Sequence, residues 1–236
     1  MRPHTSKRYE AELRQLREKL LTMGAIVEEM IAGAVQGVVE RDPARAEAIK
    51  ARDREVDRLE MEVDELCVQT LALRQPAAGD LRFLTMALKI DTDLERMGDL
   101  ASNIARRAVE IAREPPAERP TRLARMAEIV RSMVDDALDA FVEGDVGKAQ
   151  AVLDRDHAVD ALNAEIFESL VARMADAPET ILRDQGLIAV SKHLERIADH
   201  ATNVAEMVIF AAAGTDVRHG LANRLRRERE ARGEES

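Results

Sequence analysis

Arg113-Glu114-Pro115-Pro116-Ala117-Glu118-Arg119-Pro120 divides the chain. Three prolines in six residues remove backbone donors and crowd the preceding turn, so no helix runs through this stretch. The same pattern is written on both sides of it. A shift of 103 residues lays Met30-Ile31 on Met133-Val134, Ala34 on Ala137, Asp42 on Asp145, Asp53 on Asp156 and Asp57 on Asp160. Further on the shift falls to 100, and Leu94-Glu95-Arg96 meets Leu194-Glu195-Arg196, Asp99 meets Asp199 and Asn103 meets Asn203. An offset that changes once, at a turn shortened by three residues, marks an internal repeat rather than chance likeness.

Within the first copy the periodicity is helical. Leu13, Leu16, Leu20, Met23, Val27, Met30 and Ala34 fall at alternating spacings of three and four. Asp42-Pro43 supplies an N-cap followed by a first-turn proline, which opens a second helix running to about Arg74. Gln75-Pro76-Ala77-Ala78-Gly79 reads as a turn, and Asp80 as the cap of a third helix reaching about Ala112. The expected fold is all-α: two tandem antiparallel three-helix bundles, six long helices in all. The first repeat covers residues 1–113, the Pro-rich linker 114–120, the second repeat 121–213 and a charged tail 214–236.

Composition agrees. The chain of 236 residues is 46% hydrophobic but only 2% aromatic, so its core is built from Leu, Ile, Val, Met and Ala. A net charge of -10 argues against nucleic acid as a partner, because a phosphodiester groove needs clustered Lys and Arg. The arginines between Arg224 and Arg232 alternate with acids and read as a solvated terminus. Cys67, the single cysteine, reads as a small core residue, and Met23, Met30, Met86, Met97, Met133 and Met207 as core filler. The charged start, MRPHTSKRYEAELRQL, lacks the apolar centre of a secretory signal, and no apolar run reaches the ~20 residues that span a bilayer. These features predict a cytoplasmic protein that is not membrane-embedded.

Acids recur at helical spacing. Glu95, Asp99 and Asn103 make one polar stripe, extended by Asp91, and Glu195, Asp199 and Asn203 make another. Asp53/Asp57 and Asp156/Asp160 are i, i+4 pairs on the preceding helices. Positions equidistant from a hairpin turn lie side by side. The midpoint of the first two pairs is Pro76, and that of the second two lies just before Pro178. Helix rotation, which spacing does not fix, decides whether the stripes face one another. Facing carboxylates require cations, bridging bases or protonation, and oxygen ligands suit Mg, Ca, Mn or iron, with zinc less ideally served. Asp53, Asp57, Glu95, Asp99, Asp156, Asp160, Glu195 and Asp199 are the candidate ligands. His157 and His200 each follow an aspartate of a stripe and point away from it; His193 and His200, seven apart, can share a face. No Gly-x-Ser-x-Gly, P-loop or dinucleotide turn is present, so the sequence does not read as an enzyme.

With Leu94-Glu95-Arg96-Met97-Gly98-Asp99 and Leu194-Glu195-Arg196-Ile197-Ala198-Asp199 in view, the chain resembles the PhoU family, the accessory proteins of the phosphate-specific transport system. Asp53-Arg54-Glu55-Val56-Asp57 and Leu71-Ala72-Leu73-Arg74-Gln75-Pro76 support the likeness, which covers residues 9–212. The resemblance implies a non-catalytic regulator. It would link the phosphate importer's ATPase to a phosphate-sensing histidine kinase, and would repress the starvation response when phosphate is plentiful. It also implies multinuclear iron or zinc on the acidic motifs, and a possible homodimer. The second motif departs from the first, with Ala198 for Gly98, Ser191 for Asp91 and His193 for Asp93, so the two sites are expected to differ. The rival from another class is a ferritin-like metal-carboxylate bundle for metal storage or oxidation. It is disfavoured because no glutamate is followed by histidine three residues on.

Overall fold

The computed structural model describes residues 3–74, 76, 78–115 and 119–213. Those residues form α1 (Pro3–Glu40), α2 (Ala44–Arg74), α3 (Ala78–Ala112), α4 (Thr121–Glu143), α5 (Val146–Asp176) and α6 (Ile181–Ala213). A single 3-10 turn, Pro178–Thr180, joins α5 to α6. The arginine-rich stretch after residue 213 lies outside the described residues.

α1, α2 and α3 pack on one another, as do α4, α5 and α6. The two bundles meet through α1 against α4 and α3 against α6, which leaves α2 and α5 on the outside. The α3–α6 seam is antiparallel, since Asp93 meets His200 near mid-helix while Ile111, at the end of α3, lies against Gly186, near the start of α6. The interior is aliphatic, and the repeat is visible in it position by position. Ile49, Val56, Leu59, Val63 and Cys67 are buried on α2, and Val152, Val159, Leu162, Ile166 and Leu170, each 103 residues later, are buried on α5. On α3 and α6 the buried pairs Ile90/Val190, Leu94/Leu194, Met97/Ile197 and Ile104/Val204 follow the shift of 100. Each fully buried Val, Leu, Ile or Met side chain contributes about 1.5–3 kcal/mol by leaving water.

The caps repeat as well. Asp42 Oδ1 accepts from the Ala44 N–H at 3.0 Å, and Asp145 Oδ1 accepts from Gly147 at 2.8 Å and Lys148 at 3.1 Å. The turn expected over residues 75–79 is shorter than its sequence suggests: α3 already includes Ala78 and Gly79. Asp80 is therefore not the cap but a first-turn acid, where a carboxylate meets the positive end of the helix dipole.

α1 contains an 18-residue window apolar enough by composition to cross a membrane, which the sequence reading did not anticipate; 56% of that window is buried inside the bundle. Its apolar side chains are the core face that α2, α3 and α4 cover.

Candidate metal centre

The acids expected at the first hairpin do come together. Asp53 and Asp57 on α2 face the α3 stripe closely enough that Asp53 feels Asp99, and Glu95 feels Asp57. The cluster is longer than the four acids named from sequence. Glu60 and Asp64 continue the α2 stripe by two more turns and act on Asp91, one turn before Glu95. Their spacing from Asp53 (four, three, four) is the same helical stripe and could have been read on from Asp57.

Each shifted carboxyl in this cluster is displaced upward. Burial, then the charges of Asp64, Glu60 and Glu95, push Asp91 up to about 8. Asp91 is 1% exposed, and its Oδ1 is buried with no hydrogen-bond partner among the described residues. Burial, with the neighbouring acids adding to it, also raises Asp53, Glu60 and Glu95; Ser102 opposes the shift at Asp53 and Arg96 at Glu95. These are carboxyls in need of a cation or a proton.

The second hairpin brings Asp156, Asp160, Glu195 and Asp199 together. Burial, then Asp160, Asp199 and Glu195, push Asp156 up to about 6 against the pull of His157. Asp199 is raised by burial, Glu195 and Asp160, with Lys192 and His200 opposing. Lys192 also forms an ion pair with Glu195. This site is poorer in acids. The positions matching Glu60, Asp64 and Asp91 hold Asn163, Phe167 and Ser191.

Among the described residues, no three His, Cys, Asp or Glu side chains converge tightly enough to hold an ion as they stand. The donor chemistry nevertheless suits a hard cation: carboxylate oxygens from two helices, with the orphaned Asp91 oxygen beneath them.

The histidines divide. His200 Nδ1 lies 2.8 Å from Asp93 Oδ1 and links α6 to α3, a contact that sequence spacing did not reveal. His193 is half-buried beside Arg107, Arg196 and Arg106, and with burial these depress its pKa. Cys67 is 0% exposed, and burial pushes its thiol up to about 12, so it serves as a core residue. The expected methionines line the core, Met86 at its edge.

With this geometry in place, comparison with known proteins is decisive. A family model described as the PhoU domain matches twice, over residues 20–108 and 123–208. The chain belongs to the PhoU family. A "Phosphate-specific transport system accessory protein PhoU homolog" of Pseudomonas aeruginosa is 40% identical over 226 residues, covering 95% of this chain and 93% of that relative. The homologue of the same description in Aquifex aeolicus is 38% identical over 208 residues, 88% of this chain and 94% of the relative. Among solved structures, PhoU from Pseudomonas aeruginosa superposes with a TM-score of 0.83 at 38% identity, covering 88% of this chain and 100% of that one. The phosphate transport system regulatory protein PhoU of Streptococcus pneumoniae gives 0.82 at 28% identity, over 89% and 99% of the two chains. The all-α, six-helix PhoU fold and an association with phosphate transport follow from these likenesses.

Proposed function

We propose that this PhoU-family chain is a cytoplasmic regulator of phosphate uptake that represses phosphate-starvation signalling when phosphate is plentiful. It would act as an adaptor between the importer's ATPase and a phosphate-sensing histidine kinase, and it would not be an enzyme. The observation that carries the reading is the family match to both repeats, in relatives described as accessory proteins of phosphate transport. Long solvated helices with acids on their outer faces suit protein partners rather than nucleic acid.

The two carboxylate sites would hold metal ions: Asp53, Asp57, Glu95 and Asp99 at the first, with Glu60, Asp64 and Asp91 beside them, and Asp156, Asp160, Glu195 and Asp199 at the second. The raised carboxyls support this, because a bound cation offsets the burial, and the lesser repulsion, that raise them. Iron or zinc, or magnesium, manganese or calcium, would crosslink the hairpins and could hold the helices in a partner-binding arrangement. A homodimer is compatible with this role.

Two measurements test the reading separately. Crosslinking and affinity capture from phosphate-fed cells should recover importer and kinase components; recovery of neither overturns the adaptor. Metal content by plasma mass spectrometry on untagged protein should be stoichiometric. It should fall in a folded variant carrying E95A, D99A, E195A and D199A. Metal absent from both proteins after incubation with each cation removes the metal sites and leaves the adaptor standing.

A further inference from the structure

The α3–α6 seam lies on the approximate twofold that relates the two repeats, so each groove along it has a counterpart. One groove, about 350 Å³, is lined by Lys89, Thr92, Asp93 and Arg96 on α3 and by Asn203, Glu206 and Met207 on α6. Its charges balance: Lys89 and Arg96 against Asp93 and Glu206, with His200 paired to Asp93 at 2.8 Å. The shift of 100 converts this groove into its counterpart, where Lys89 is lost to Ala189 but four other substitutions remove an acid or add a base. Asp93 becomes His193, Thr92 becomes Lys192, Glu206 gives way to Arg106 and Met207 to Arg107, while Arg96 is kept as Arg196.

Around the half-buried His193, Arg106, Arg107 and Arg196 gather from two helices. Arg107 is tied to Glu110 at 2.6 Å and Lys192 to Glu195. Among the described residues Arg106 donates to the neutral Asn103 Oδ1 alone, at 2.8 Å. Arg106 and Arg196 thus have no ion-pair partner among the described residues, and both, like Lys192, are exposed on a chain whose net charge is -10. His193 Nδ1 and Arg107 Nε are also buried with no hydrogen-bond partner among the described residues. An anion joining these like charges would relieve their repulsion, which water already screens at the exposed side chains, and guanidinium forks match the geometry of phosphate oxygens.

We propose that this basic face, formed by Arg106, Arg107, Lys192, His193 and Arg196, binds a phosphate dianion. The ligand would be free orthophosphate or the phosphoryl group of a partner. The two unpaired arginines match its two charges, and the buried Arg107 Nε and His193 Nδ1 would supply further contacts. The site borders the second carboxylate stripe through Lys192, which pairs with Glu195 and opposes the upward shift of Asp199, but its anion contacts need no metal.

Chelator-treated full-length protein, titrated separately with orthophosphate and with phenyl phosphate, tests it by calorimetry and ³¹P line broadening. Saturable binding is expected. R106Q and R196Q should each weaken it about tenfold, the loss typical of one charge-assisted hydrogen bond. R96Q, at the twofold-related position, should leave it unchanged. Binding of orthophosphate alone identifies the free anion as the ligand, and binding of phenyl phosphate as well identifies a phosphorylated group. The proposal fails if neither probe binds up to about 10 mM. It fails equally if R106Q and R196Q bind like the parent, or if R96Q is impaired as much as R196Q.

Discussion

Arg41 and Gly144 occupy the same place in the two repeats, 103 residues apart, and both hold left-handed backbone, with φ of 57° and 69°. Glycine adopts that conformation freely, whereas a side chain pays about 1–2 kcal/mol for it. The arginine has a compensating contact. Its guanidinium donates to the carbonyls of Ala112 at 3.1 Å, Pro115 at 3.4 Å and Glu114, fastening the start of the linker to the end of α1.

Two substitutions separate strain from anchoring. Arg41→Ala keeps the strained backbone and loses the clamp, so it should destabilise by about 1–2 kcal/mol in urea unfolding. Arg41→Gly loses the clamp but relieves the strain, and should be more stable than Arg41→Ala by about 1 kcal/mol. The reverse order would show that the left-handed backbone is not costly here.

The buried Asp91 sets a pH dependence. Its carboxyl is raised from the ordinary range to about 8. A raised pKa means that the folded protein binds the proton more tightly than the unfolded chain, so the stabilisation is complete below about pH 4. It declines as pH climbs, and is lost as pH passes through 8. Metal-free protein should therefore show a Tm that falls between pH 6 and 8.5. Asp91→Asn, neutral throughout, should flatten that fall; an unchanged slope in the variant would assign the effect elsewhere.

Gly98 on α3 faces Val56 and Asp53 of α2. A Cβ placed there would lie 3.4 Å from Val56 Cγ1 and 3.8 Å from both Asp53 Oδ1 and Met30 Cε, which is ordinary van der Waals contact. The matching residue of the second repeat is the buried Ala198. Gly98→Ala should thus fit and stabilise by about 0.5–1 kcal/mol through helix propensity. Gly98→Leu drives three more carbons toward Val56 and Asp53, and should cost about 1–3 kcal/mol and disturb metal uptake at the first site. Thermal unfolding of both variants checks the pair, and a destabilised Gly98→Ala would contradict the packing.

The fold was legible because apolar periodicity and a repeat report backbone geometry directly. Met30/Met133 and Leu94/Leu194 are buried in both copies, as their matched positions required. The start of α3 was misread because a proline turn followed by Ala78-Gly79 resembles a longer loop; only packing shows how early the helix resumes. The α2–α3 and α5–α6 acid clusters were legible from hairpin symmetry. Asp93–His200 was not, since it joins residues 107 apart on helices whose relative rotation comes from the α3–α6 packing. The basic face around His193 was hidden for the same reason.

The two carboxylate sites should not be equal. The first has Glu60, Asp64 and Asp91 beside Asp53, Asp57, Glu95 and Asp99, whereas the second has Asn163, Phe167 and Ser191 at those places and Lys192 bound to Glu195. More charge and more oxygens favour more ions and tighter binding. Asp57→Asn with Asp99→Asn should therefore remove a larger share of bound metal than Asp160→Asn with Asp199→Asn, by plasma mass spectrometry after dialysis. The same first-site variant carries a second signature. Without metal it relieves like-charge repulsion and should melt higher than the parent; with manganese or zinc present the order should invert, because the parent alone gains binding energy. Equal metal loss from both variants would deny the asymmetry. A melting order that ignores added cation would mark the acids as solvated surface.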